Sequence, residues 1–222
     1  SIASGGLGAT FESVVFENGS QLESVAGWGF SGINTEEVSL PEGLSYLPNH
    51  TFEGAHITRI YLPSTLQNLY GEVFSNCWSL RSFILNSSEP IVLDSSPFYG
   101  NLSSCSLYVP KGSAEKYSQA DVWKDFGRIV EWGDTVTIDG IKYITDVTNG
   151  TADILSAYDL RFSGSVKFDL PSTIFFENKE YRVTYLSPFS LAHPDFREMQ
   201  IPVREVTIPN TVESIGDCAF TT

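Results

Sequence analysis

The stretch IPNTVESIGDCAF, residues 208–220, sets out a pattern that other parts of the chain share. An aliphatic residue is followed by proline at the next position, by aliphatic residues four and seven positions later, and by phenylalanine twelve positions later. LPEGLSYLPNHTF, residues 40–52, and LPSTLQNLYGEVF, residues 62–74, place the same signals at the same offsets. Spacings of 22, 22 and 24 residues separate the closing phenylalanines Phe30, Phe52, Phe74 and Phe98. A recurring period of this length is typical of a repeat protein.

A short strand is predicted before each proline, because apolar residues alternate with outward-facing ones, as in Ile60-Tyr61-Leu62. Proline then ends the strand, since it cannot donate to a continuing hydrogen-bond ladder. A single coil of this kind buries too little apolar surface to offset the entropy of ordering its backbone. Stacked coils cover one another. The sequence therefore predicts a mainly β, right-handed solenoid with a parallel sheet and the phenylalanines in an internal column.

The chain is predicted to contain two domains, at 1–132 and 133–222. After the last strand of the first array, five residues fall three or four positions apart and predict an amphipathic helix as a C-terminal cap: Tyr117, Ala120, Trp123, Phe126 and Val130. The stretch TVTIDGIKYIT then predicts a hairpin around Asp139-Gly140. This hairpin is expected to belong to a β-rich N-terminal cap that opens a second array, with Phe189 as the closing residue of that array's first coil.

Three stretches resemble the BspA-like leucine-rich-repeat surface proteins of Bacteroides-type bacteria: the phrase IP-x-x-V-x-x-IG-x-x-AF, the terminator LYVPKGS and the opener TIDGIKYIT. The resemblance covers nearly the whole chain, although the asparagine ladder of ordinary leucine-rich repeats is missing. It implies a leucine-rich-repeat solenoid in an exported, cell-surface or extracellular protein. It also implies adhesion to host extracellular-matrix proteins or other surface proteins. A non-enzymatic role is expected because repeat positions account for nearly every polar residue that could be catalytic. The chain enters and leaves the repeat at the same phase, which predicts a segment of a longer tandem array.

Composition and motifs argue against several other classes of function. With Lys+Arg 13 against Asp+Glu 27, the net charge of −14 disfavours nucleic acid and anionic membranes as partners. Because no apolar run approaches the length of a membrane span, direct membrane insertion of this segment is not expected. The G-x-G-x-x-G match at residues 27–32 falls in a repeat turn, where its Phe30 belongs to the core. Hydrolase signatures are missing, so the sequence predicts no catalytic residues and no cofactor.

The cysteines and histidines are predicted to be structural. The three cysteines, Cys77, Cys105 and Cys218, fall at positions where the repeat pattern expects a small buried residue, so each is predicted to be a buried thiol. The histidines His50, His56 and His193 are expected in surface turns, without ligands at metal-binding spacing. Three oxygen-bearing residues in one expected loop do not follow the EF-hand pattern, and no metal site is predicted there: Asp146, Asn149 and Asp153.

The candidate binding site is a stripe on the outer face of the sheet. If Ile60 and Leu62 point inward, Arg59 and Tyr61 point outward from the same strand. The same register continues the outward column through Ile84 and Tyr108, with neighbours about 4.8 Å apart. Tyrosine and arginine are favoured anchors at interfaces, so a partner-binding role is predicted for Arg59, Tyr61, Ile84 and Tyr108. The alternative is that these residue types simply suit a strand.

Three functions stay open at this point. The first is adhesion or protein binding through the sheet face of the solenoid. The second is glycan binding, which a ladder of exposed aromatic side chains would favour over a broad face of mixed charge. The third is a passive spacer, which would be expected if the repeat faces were polar and irregular.

Overall fold

The computed structural model describes residues 14–17, 19–98, 100, 102–157, 167–191 and 205–220. The chain divides into two compact units, one ending at Glu131 and the other beginning at Trp132. Each unit has its own hydrophobic core. The assignment of separate domains stays a prediction.

The described part of the first unit contains seven complete strands. In chain order they are β1 (Glu37–Ser39), β2 (Tyr46–Leu47), β3 (Arg59–Leu62), β4 (Asn68–Leu69), β5 (Ser82–Leu85), β6 (Val92–Leu93) and β7 (Ser106–Pro110). Strands β1, β3, β5 and β7 pair in parallel in that order, and β2, β4 and β6 form a second parallel sheet. Successive coils thus place equivalent residues side by side, and the predicted parallel sheet is confirmed. The right hand of the solenoid stays a prediction.

The closing phenylalanines form a column inside the first unit, as predicted. The rings of Phe30 and Phe52 stack with centroids 5.0 Å apart, and Phe74 follows 5.6 Å from Phe52. Phe98 continues the column 5.7 Å from Phe74, with the two rings within 5° of parallel. A backbone ladder holds this register, since the Phe52 N–H donates to the carbonyl of Val73, the residue before the next closing phenylalanine.

Three short helical segments lie near the end of the first unit, the first of them just before strand β7 and the other two after it. They are a 3-10 turn (Leu102–Ser104), helix α1 (Ala114–Gln119) and a second 3-10 turn (Trp123–Asp125). The prediction of one amphipathic helix through this region is wrong. The helix ends at Gln119, because Ala120 is extended and Val122 lies at a φ of 68°. The irregular backbone nevertheless buries Tyr117, Trp123 and Phe126.

The second unit contains mixed sheets. Strand β8 (Arg128–Ile138) runs into it from the first unit, and the strands after it are β9 (Ile141–Asp146), β10 (Thr151–Ser156), β11 (Lys167–Asp169), β12 (Thr173–Phe176), β13 (Lys179–Leu186), β14 (Glu205–Thr207) and β15 (Ser214–Ile215). Strands β8 and β9 form the predicted antiparallel hairpin, with Asp139 and Gly140 both at positive φ. Parallel pairing of β10 with β13, and of β13 with β15, begins the repeat geometry of this unit.

Leu191, and not Phe189, takes the closing position in this unit. The Leu191 N–H donates to the carbonyl of Ala219, the residue before Phe220, which is the same bond that Phe52 makes to Val73. Phe189 lies two residues earlier, at a φ of 58°. The prediction failed because a phenylalanine stood near the expected place, whereas the position accepts any apolar side chain that packs on the core, as Leu191 does.

Candidate functional site

The predicted stripe has the predicted register but not the predicted exposure. Strand pairing places Ser39, Tyr61, Ile84 and Tyr108 side by side. Ser39 is exposed and Tyr61 is half-buried, but Ile84 and Tyr108 are fully buried. The sequence carried a sign of this change. Apolar residues alternate in Val38-Ser39-Leu40, whereas Phe83-Ile84-Leu85 and Leu107-Tyr108-Val109 are continuous runs, which is typical of parallel strands buried on both faces.

Arg59 is buried as well, and the expectation that it stands exposed beside the stripe is wrong. Its guanidinium pairs with the carboxylate of Glu36, and its Nε lies 3.3 Å from Oε2 of Glu37. Glu37 is the strand partner of Arg59, one coil earlier. A buried charge needs such partners. The positive charge therefore serves the contact between coils.

Aromatic side chains are exposed elsewhere on the first unit. Trp28 is 46% exposed and stacks on His50 of the next coil, with ring centroids 4.7 Å apart and planes within 13°. The Trp28 Nε1–H donates to Oε2 of Glu53 at 2.8 Å. His50 Nδ1 lies 3.4 Å from Oε2 of Glu53 and 3.4 Å from Oε2 of Glu72. Two rings and two carboxylates are thereby held together at the surface.

The backbone that displays this group is in an unusual conformation. Trp28, His50 and Glu72 each precede a closing phenylalanine by two residues, and their φ angles are 59°, 61° and 59°. Left-handed backbone costs a residue with a side chain about 1–2 kcal/mol. The ladder between coils imposes that conformation, and the side chains it turns outward form a column along the stack.

A second aromatic pair belongs to the same coils. Tyr46 of β2 and Tyr70, just after β4, meet edge to face with centroids 5.9 Å apart, and both remain more than a third exposed. The Tyr70 N–H donates to the carbonyl of Leu47, which fixes the backbone beneath the pair. Tyr70 lies two residues before Glu72, and Tyr46 lies four before His50. We call the set Trp28, Tyr46, His50, Glu53, Tyr70 and Glu72 the acidic aromatic face.

Sequence reasoning missed the acidic aromatic face, although a signal for it existed. The outward column predicted from the sequence consists only of residues in the strands before the prolines. The residue two places before each closing phenylalanine is not part of that prediction, although Trp28 and His50 are too polar and too bulky for a second internal column. Their recurrence at one repeat position could have indicated a surface column.

The three thiols do not share one environment. Cys77 and Cys105 are buried as predicted, and burial raises the pKa of the Cys77 thiol to about 12. The Cys77 S–H donates to the carbonyl of Phe52 at 2.9 Å. Cys218 is exposed, so its predicted burial is wrong. It occupies the same left-handed position as Trp28, at a φ of 58°, and this position turns its side chain outward.

Asp146 and Asn149, two of the three oxygen-bearing residues that do not follow the EF-hand pattern, stabilise their own loop. Asp146 Oδ1 accepts hydrogen bonds from the N–H groups of Thr148 and Asn149, and its Oδ2 accepts one from the Asn149 side chain. Asp153 lies in strand β10 and is buried, so it is not part of that loop. Among the described residues, no group of three His, Cys, Asp or Glu side chains could hold a metal ion. His193 lies outside the described residues.

A cavity of about 120 Å³ lies in the first unit. Its lining includes Phe74, Cys77, Arg81 and Phe98, with the exposed Trp78 at its edge. Small-molecule sites usually have volumes of about 300–1,000 Å³. The cavity is therefore small for a substrate.

Stacked coils of 22 to 24 residues, each giving a strand to a parallel sheet, define a repeat protein of the leucine-rich type. A comparison with known families matches residues 8–119 and 195–222 to the BspA type leucine rich repeat region, in 6 copies. The chain belongs to this family, and the resemblance noted in the sequence is confirmed. No match was found among curated proteins. In the part of the chain that the structure describes, none of the helices has the length and apolar character needed to cross a membrane.

Proposed function

We propose that this chain is a non-enzymatic module of an exported, surface-attached protein, and that it acts in adhesion by holding a partner protein. The family to which it belongs is one of interaction repeats, which supports the general class of function. The observation that carries the proposal is the set of aromatic side chains, among them Trp28, Tyr46 and Tyr70, that the first unit leaves exposed outside a complete core. Aromatic side chains are enriched at protein interfaces.

The proposed partners are host extracellular-matrix proteins or other surface proteins. The excess of acidic over basic residues supports a protein partner over nucleic acid. Repetition of short coils supports a broad contact surface, because each coil adds one row of outward side chains to the last. The proposed location is the cell surface or the extracellular space.

The predicted stripe has a reduced part in this proposal. Direct contact through Arg59, Ile84 or Tyr108 would require a partner to reach buried side chains, whereas Tyr61 keeps part of its surface exposed. Partner binding by the stripe is not tested and stays a prediction. The acidic aromatic face offers more accessible anchors, and we place the main contact there.

Glycan binding is a second candidate, favoured by the same exposed rings. Tyr46 and Tyr70 are adjacent, and Trp28 presents nearly half of its surface. An aromatic ladder of this kind was the feature expected to favour a sugar ligand. The face is also acidic and lacks the mixed charge expected of a broad protein-binding surface.

Biolayer interferometry tests the proposal. The intact chain is immobilised and exposed to a panel of matrix proteins and oligosaccharides, beside a Trp28→Ala/Tyr46→Ala/Tyr70→Ala variant and a Tyr61→Ala variant. Circular dichroism checks that each variant folds. Saturable binding of a protein that the triple variant loses and Tyr61→Ala keeps is the expected result.

Other outcomes would change the assignment. Loss of protein binding in Tyr61→Ala alone would return the site to the stripe. Binding of an oligosaccharide and of no protein would favour the second candidate. An absence of binding across the whole panel would favour a passive spacer and contradict the proposal.

A further inference from the structure

We infer that the acidic aromatic face binds a basic segment of a partner protein, in which an arginine or lysine side chain lies on Trp28 and pairs with Glu53 or Glu72. The inference rests on the proposed function and names the chemistry of its partner. It is carried by three observations: the charge of the coils, the geometry of the Trp28 cluster, and the position of Tyr46 and Tyr70.

The coils that form the face have almost no positive charge of their own to present. Between residues 14 and 98 the sequence has nine Asp and Glu residues, and its only Lys or Arg residues are Arg59 and Arg81. Arg59 is buried against Glu36 and Glu37. The Arg81 Nη1 donates to the carbonyls of Trp78 and Leu80, at 2.8 and 2.9 Å. A cationic partner would meet a net negative potential, which favours its encounter with this surface.

The Trp28 cluster has the arrangement that a guanidinium or ammonium group recognises. A cation is attracted to the face of an indole ring by the quadrupole of the ring. Here the indole is held in place by its stack on His50 and by its hydrogen bond to Glu53, so little ring motion is lost on binding. The Glu53 side chain is 34% exposed and that of Glu72 is 54% exposed, which leaves carboxylate surface for a charge-assisted hydrogen bond.

Tyr46 and Tyr70 extend the face and provide ring surface against which a peptide backbone can pack. The two rings meet edge to face with centroids 5.9 Å apart, and each side chain remains more than a third exposed. Tyrosine combines a large apolar area with one polar group, a combination favoured at binding centres. A basic segment crossing the coils can thus contact the tyrosine pair and place a cation at Trp28, whereas an acidic segment would meet Glu53 and Glu72.

The test is a titration of the intact chain with an Arg-Gly-Ser repeat peptide, followed by calorimetry or interferometry at low and raised salt. A Glu-Gly-Ser peptide of the same length is the ligand control. The charge variant is Glu53→Gln/Glu72→Gln. Its matched control is Glu177→Gln/Glu180→Gln, which removes the same charge from exposed positions of the second unit. Trp28→Ala removes the ring, and Trp28→Phe retains an aromatic face. An unchanged unfolding midpoint shows that a variant keeps its fold.

The expected result is saturable binding of the arginine peptide that weakens with salt, and no binding of the glutamate peptide. Glu53→Gln/Glu72→Gln should weaken binding about fivefold, from the loss of two exposed ion pairs, and Trp28→Ala by about three- to fivefold. Trp28→Phe should retain part of the affinity. The matched control pair should bind within about twofold of the unmodified chain.

The inference and the proposed function can fail separately. Equal losses in the face pair and in the control pair would mean that net charge alone attracts the peptide, and would overturn the site. If the chain does not bind the arginine peptide but binds a neutral matrix protein, the inference is overturned and the proposed function is retained. If it does not bind the arginine peptide but binds an oligosaccharide, the inference is overturned and glycan binding is favoured. A chain that binds neither peptide nor any member of the panel would contradict both.

Discussion

The last coil of the first unit and the last described coil of the second unit have similar residues at equivalent repeat positions, but their surroundings differ. Phe98 is 7% exposed, because the rings of Trp123 and Phe126 pack against it with centroids 5.5 and 5.7 Å away. Phe220 is 43% exposed, and Ile215 of the same coil is 47% exposed. Both phenylalanines occupy the closing position of their coil.

The difference shows that a repeat coil does not bury its own apolar residues. In a stacked array each coil is covered by its neighbours, so a terminal coil depends on whatever lies against it. For the first unit, that covering group is Trp123 with Phe126 and Tyr117. Trp123 is anchored by its Nε1–H, which donates to the carbonyl of Ile91 at 3.0 Å, and the Tyr117 hydroxyl donates to the carbonyl of Glu89 at 2.8 Å. Apolar contact and hydrogen bonds act together in this covering group.

The largest effect is expected from Trp123→Ala, which would make the covered coil resemble the uncovered one. Loss of a fully buried tryptophan costs about 3–5 kcal/mol in free energy of unfolding, and the carbonyl of Ile91 also loses its donor. Urea unfolding followed by circular dichroism measures the change. Trp78→Ala is the matched control, because Trp78 is 65% exposed and its loss should cost no more than about 0.5 kcal/mol. Equal losses in the two variants would contradict the role of Trp123.

A second comparison uses the closing position itself. Phe52→Ala removes a ring stacked between Phe30 and Phe74 and should lower the free energy of unfolding by about 3–5 kcal/mol. Phe220→Ala removes a ring that is nearly half exposed and should cost less than about 1.5 kcal/mol. Denaturant unfolding of the two variants checks the contrast. A large loss in Phe220→Ala would mean that the last coil is as well packed as the middle of the first array.

The reactivity of the thiols should also differ between the buried positions of the first unit and the exposed last described coil of the second unit. Cys77 is buried with a pKa raised to about 12, so at about pH 8 it stays protonated and inaccessible, whereas Cys218 is exposed to the reagent. With Ellman's reagent, we expect one of the three thiols to react quickly in the folded chain and all three to react in denaturant. Cys218→Ser should abolish the fast phase. A fast phase that survives in Cys218→Ser would show that Cys77 or Cys105 opens readily.

The smallest effect is expected in self-association. Three apolar side chains of the second unit are exposed and can contact another copy of this chain: Ile208, Ile215 of strand β15, and Phe220. Sedimentation velocity should show weak, concentration-dependent association, reduced about tenfold in Ile215→Ser/Phe220→Ser. Val15→Ser, at an exposed valine of the first unit, is the control. A strict monomer at the highest concentration would contradict this expectation.

The repeat and its core could be predicted from the sequence because both rest on local, periodic signals. Proline after each strand and phenylalanine twelve positions after the aliphatic residue fixed the parallel strands and the ring column. The hairpin at Asp139-Gly140 followed from turn chemistry alone. In each of these cases the residue's role depends on its neighbours in the sequence.

Features that depend on what lies against a residue were the ones missed. The local sequence gives only one sign that Tyr108 is buried and not exposed on the outer face: its strand is a continuous apolar run, with Leu107 before it and Val109 after it. Alternation along β3 predicts an outward Arg59, but Glu36 and Glu37, which lie one coil earlier in the sequence, pair with it in a buried position. The irregular path after Gln119 preserves the burial of Trp123 without the predicted helix, so the pattern of apolar residues was informative about packing and misleading about the backbone.

The left-handed position two residues before the closing residue has a practical consequence. Trp28, His50, Glu72, Phe189 and Cys218 all adopt it, with φ angles between 58° and 61°. An indole, an imidazole, a carboxylate, a phenyl ring and a thiol are thus interchangeable on one backbone. A combinatorial library that randomises this position in consecutive coils would vary a surface row while leaving the scaffold intact, and the array could be engineered as a binding reagent.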